Sequence, residues 1–127
     1  MGDVIGWLGV DGWGIVIVLA FIAFDILTGF VKGAVRGSLS STVMRQGLYH
    51  KLAFVLALAF AALVQFATLH FDLPQELGAV FPAICLYLIL TEIVSILENL
   101  VEINPELANN RFLGLFGRKE GDDDGGN

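Results

Sequence analysis

Three long apolar stretches, residues 14–31, 52–69 and 78–97, dominate the chain, and short polar segments separate them. At about 1.5 Å of rise per residue, helices of about 18 to 20 residues match the roughly 30 Å hydrocarbon core of a bilayer. The pattern predicts an all-α integral membrane protein with three transmembrane helices. Residues 1–13 (MGDVIGWLGVDGW) are broken by glycines and carry Trp7 and Trp13, which suits a short amphipathic segment at the outer headgroup level. Residues 32–51 predict a short, partly helical loop, with Ser41 or Thr42 as the N-cap of the helix that follows. The 70–77 segment predicts an outer turn in which Pro74 starts the next element, so that the second and third helices form a tight antiparallel hairpin. Beyond the third span, residues 98–119 offer Leu107, Phe112, Leu113, Leu115 and Phe116 to the inner membrane surface. Residues 120–127 are acidic and Gly-rich, the composition of a disordered tail.

Charge orients this arrangement. Lys32, Arg36, Arg45 and Lys51 lie between the first and second stretches, and Arg111, Arg118 and Lys119 follow the third. The other two polar regions hold only the acids Asp3, Asp11, Asp72 and Glu76. Basic loops are retained in the cytoplasm, so the N-terminus is expected outside and the C-terminus inside a bacterial cytoplasmic membrane. With 127 residues of which 56% are hydrophobic, the chain holds more apolar surface than a soluble domain of its size buries. The net charge of −6 is concentrated in Glu120, Asp122, Asp123 and Asp124, a local tail rather than a field over the fold. A basic leader and a small-residue cleavage site are both missing around the first stretch, which is expected to remain as a helix.

Within the spans the informative residues are the polar ones, because each is costly in lipid. Asp25, Thr28, Gly29 and Lys32 share one helical face that continues to Arg36. Glu92 stands in the third stretch with Ser95 and Asn99 on its side, and Gly78, Cys85, Glu92 and Asn99 recur at seven-residue spacing. The carboxylates of Asp25 and Glu92 either pair with Lys32, Arg36 or Lys51, face a pore, or form a protonatable relay. In the second stretch Ala53, Ala57 and Ala61 recur every four residues and lead to Gln65. Such a stripe permits close helix packing, within one chain or between copies.

No catalytic pattern accompanies these residues. The chain lacks a Gly-rich phosphate loop, HExxH and GxSxG, and no His or Cys stands near Glu98 and Glu102 to complete a site. His50 and His70 fall at span boundaries, where an interfacial role is expected. Cys85 is the single cysteine, which excludes an intramolecular disulfide and a cysteine metal cluster. Neither a cofactor nor nucleic acid is expected.

Three separated elements resemble the phage holin family that includes toxin-secretion holins: FDILTGFVKGAVRGSLSS (24–41), RQGLYHK (45–51) and TEIVSILENL (91–100). That family has an Asp-x-x-Thr-Gly element closing its first helix, a Ser-rich loop followed by Gly-Leu-x-x-Lys, and a Glu-x-x-Ser-Ile-x-Glu-Asn element closing its last. The matching residues are Asp25, Thr28, Gly29, Ser41, Gly47, Leu48, Lys51, Glu92, Ser95, Ile96, Glu98 and Asn99. Gln65 and Pro82 stand where relatives carry an acidic and a basic residue, so an outer ion pair does not transfer, and the acidic tail differs from the basic tails common in holins. The resemblance implies a homo-oligomer in the bilayer that forms lesions releasing a peptidoglycan hydrolase or a large toxin. The alternative is a small membrane scaffold or transporter subunit whose carboxylates bind an ion or a partner helix.

Overall fold

A computed structural model describes residues 12–116. Three long helices account for most of them: α1 (Gly12–Arg36), α2 (Ser41–His70) and α3 (Val80–Ile103). All three are long and apolar enough to cross a membrane, and the protein is a multi-pass membrane protein. Residues 1–11 and the 120–127 tail lie outside the described residues. Gly12 and Trp13, the last two residues of the expected N-terminal segment, already belong to α1.

The helices run past the apolar stretches that predict them, and their ends have identifiable causes. Gly37 adopts a left-handed φ of 66° and ends α1. Its N–H reaches the Ala34 carbonyl at 3.4 Å, while Ser38 N–H reaches that of Gly33 at 2.9 Å, the paired bonds of a Schellman cap. A Cβ at Gly33 would stand 2.6 Å from Leu39 Cδ2, the tip of an exposed side chain that would have to turn aside. Ser40, one residue before the predicted candidates, is the N-cap of α2, its hydroxyl accepting from Val43 N–H at 3.1 Å. The predicted loop therefore shrinks to residues 37–40, and Lys51 moves from a loop end to well inside a helix. At the opposite end Pro74 directly precedes a 3-10 turn, Gln75–Ala79, that leads into α3. Pro82 is harmless in the first turn of α3, where its missing N–H has no intrahelical partner to lose. After α3, Asn104 and Asn109 cap a 3-10 turn (Pro105–Ala108) and a short helix, α4 (Asn110–Gly114).

Packing is most extensive between α1 and α3, which run parallel. The buried α3 residues, Phe81, Cys85, Leu88, Glu92, Ile96, Leu97 and Asn99, recur mostly at steps of three or four, the spacing of one helix face. Val18, Ile22, Asp25 and Thr28 form the facing row on α1. The α2 helix returns in the opposite direction and contributes Leu58 and Ala61 to the apolar core, beside Val18, Ile22, Phe81, Cys85 and Leu88. Large apolar side chains cover the outside, with Phe60 at 60% exposure, whereas Glu92 is fully buried at 0%. This inversion of soluble packing is what a lipid solvent selects.

Candidate functional site

Midway along the bundle, polar residues of all three long helices meet at one depth. Asp25 lies 11 residues from the end of α1 and Lys51 lies 10 from the start of α2, so each is about 15 Å from the end that carries the Gly37–Ser40 turn. Asp25 and Thr28, three residues apart, share a face of α1, and Glu92, Ser95 and Asn99 repeat the three-four spacing on α3.

Lys51 is the centre. Its Nζ donates to Asp25 Oδ2 and to both oxygens of Glu92, at 2.8 and 2.9 Å. An ammonium has three N–H donors, and these three acceptors use them all. Asp25 Oδ1 accepts from Ser95 Oγ at 2.9 Å and from Asn99 Nδ2 at 2.8 Å. Asn99 Nδ2 also donates to Thr28 Oγ1 at 3.0 Å, and the Thr28 hydroxyl donates to the Asp25 carbonyl at 3.1 Å. Asp25, Thr28, Glu92 and Asn99 are buried, and the Lys51 ammonium lies 5.3 Å from the Phe54 ring centroid. Burying three ionisable groups is costly unless they are paired and hydrogen-bonded, and here every charged atom is. Two carboxylates share one ammonium, so the cluster carries an excess negative charge when both are ionised.

Of the cations that the sequence offered to Asp25 and Glu92, the structure selects Lys51. Arg36 instead pairs with Glu102 at 3.1 Å on the exposed surface. Lys32, Gly29, Gly47 and Leu48 line a cavity that opens beside the cluster. Ser41 and Glu98 are exposed, and Ile96 is buried in the α1–α3 seam. The alanine stripe divides: Ala61 is fully buried, Ala57 half-buried and Ala53 exposed. Gln65 lies apart from the cluster, half-buried, and its Oε1 has no hydrogen-bond partner among the described residues. Cys85 sits in the apolar core, while Gly78 is in the 3-10 turn, exposed, with nothing within 4 Å of where a Cβ would stand.

What sequence reasoning missed is the centrality of Lys51. The available signal was Ser40: starting the helix there places Lys51 almost three turns in, as the one Lys or Arg of α2 beyond its first two turns.

A family model described as the bacteriophage holin family matches residues 4–109. Among curated proteins, the uncharacterized protein Lmo0128 of Listeria monocytogenes is 26% identical over 111 residues, covering 85% of this chain and 74% of that protein. The uncharacterized protein Lin0175 of Listeria innocua is 27% identical over the same shares. No solved structure matches.

Proposed function

The chain belongs to the bacteriophage holin family, and from that premise we propose that it accumulates in the bacterial cytoplasmic membrane and then assembles with copies of itself into lesions. These pass a peptidoglycan hydrolase or a large toxin, and no chemistry is catalysed. The observation that supports this reading is the Lys51–Asp25–Glu92 cluster. A set of ionisable groups buried inside one chain is silent toward lipid, yet it supplies polar helix faces that can line water once neighbouring copies displace the internal partners. In the same reading the N-terminus lies outside and the C-terminus inside, since every Lys and Arg other than the part-buried Lys51 then lies on the cytoplasmic side.

Timed expression in a bacterium carrying a cytoplasmic hydrolase tests the function. The expected course is silent accumulation, abrupt loss of membrane potential at a reproducible time, and release of the hydrolase. Retention of the hydrolase after the potential has collapsed would remove the large-lesion reading. For orientation, single cysteines at positions 40 and 74 are introduced with Cys85→Ser and treated with an impermeant thiol reagent. Intact cells should label position 74 and leave position 40 untouched, and the reverse pattern overturns the assigned topology.

A further inference from the structure

Between α1 and the first turns of α2 lies a cavity of about 490 Å³ that opens at the bundle surface. It exists because residues 41–50 of α2 stand away from the rest of the bundle, every one of them exposed, before Lys51 ties the helix in. Ile26 and Phe30 of α1 and Met44, Leu48 and Phe54 of α2 make its wall apolar, and the Lys51 cluster forms its floor. Lys32 and His50 stand in its lining toward the basic end of the bundle.

Charge separates the possible occupants. Residues 32–51 contain four Lys and Arg and no acid. Lys51 and Arg36 are taken by Asp25, Glu92 and Glu102, but neither Lys32 nor Arg45 has an ion pair among the described residues. The acids lining the cavity, Asp25 and Glu92, are both bound to Lys51 and leave its floor with one excess negative charge when ionised, so the cation open to a ligand is Lys32, toward the basic end. An apolar groove between membrane helices is filled by acyl chains, and cationic pockets between such helices recognise anionic headgroups.

We infer that this cavity binds one phospholipid with an anionic headgroup, its acyl chain along the Ile26–Phe30 and Met44–Leu48 walls and its phosphate at Lys32. The lipid would cover the cluster from the side on which α2 stands off.

The test uses the full-length protein, reconstituted in bilayers of equal parts phosphatidylglycerol and phosphatidylcholine, extracted gently and weighed by native mass spectrometry. Phosphatidylglycerol should be retained in preference. Lys32→Gln should lower that preference about fivefold, the effect of one cationic side chain near a lipid phosphate. Gly47 also lines the cavity, and a Cβ there would meet nothing within 4 Å, so Gly47→Phe fits the fold while occupying the acyl-chain space. It should abolish retention of both lipids with the unfolding transition unchanged. Equal retention of the two lipids, a preference that survives Lys32→Gln, or full retention by Gly47→Phe each overturns the site. Oligomers of the parent that carry no lipid, and that Gly47→Phe reduces to monomers, assign the cavity to a second copy and overturn it too. Lipid retention is read on purified protein without lysis, so this outcome is separate from that of the proposed function.

Discussion

The α1–α3 seam and the α2 helix are held in different ways. The seam interlocks along most of its length, from Val18 and Phe81 through Asp25 and Asn99 to the Arg36–Glu102 pair. By contrast α2 is fixed by Leu58 and Ala61 in the apolar core and by Lys51 in the polar cluster, and its first ten residues touch little. Lipid offers no hydrophobic force to press helices together, so a helix with few packed side chains depends on polar contacts for its place. The seam should therefore tolerate single losses, whereas α2 should not tolerate loss of Lys51.

Replacing Lys51 breaks this comparison most strongly. Lys51→Met leaves two buried carboxylates without a cation and should cost about 3–5 kcal/mol in an unfolding titration in mixed micelles. Adding Asp25→Asn and Glu92→Gln to it should recover much of that loss, since the orphaned charges are then gone. A Lys51→Met protein as stable as the parent would remove the cluster as the anchor of α2. Next in size is Asn99→Ala, which takes one donor from Asp25 Oδ1 and one from Thr28, at about 1–3 kcal/mol, with disulfide crosslinking between α1 and α3 still efficient. Ala61→Leu should cost about 1–3 kcal/mol by overpacking a fully buried position. The same change at exposed Ala53 should leave stability unchanged and alter only contacts between copies, read by crosslinked oligomers and lysis timing. Smallest of all, Arg36→Gln removes a pair whose partners are about half exposed, and the shift should stay within about 1 kcal/mol and vanish in high salt.

The seam was more legible in the sequence than the position of α2, for a geometric reason. Seven-residue steps drift by only about 20° on a helix, so Cys85, Glu92 and Asn99 stay on one face, and all three are buried together. Four-residue steps advance by about 40° each, so Ala53 stands about 80° from Ala61 and the stripe leaves the interface. Asp25 and Glu92 announced themselves as acids within apolar stretches. Their shared cation did not, because Lys51 is far from both in sequence and its depth depends on where α2 begins. That start is set by one hydroxyl, Ser40, and the neighbouring serines and threonine made the position ambiguous. The offset of α2 from α1 has no sequence signature, since it follows from how two helices diverge after the Gly37 cap.

The turns on either side of α2 act as short tethers. Residues 37–40 join it to α1, and residues 71–74 lead from it to the 3-10 turn before α3. The five backbone steps from Arg36 to Ser41 reach at most about 18 Å, while the corresponding helix position in an adjoining copy lies about two helix diameters away, roughly 20 Å. The short link between α1 and α2 disfavours arrangements in which one molecule lends a helix to the next. Freed from its cluster, α2 can swing or rotate about these tethers but cannot leave its own molecule. Any ring of such molecules grows by whole three-helix units, and its perimeter is set by how many chains join it.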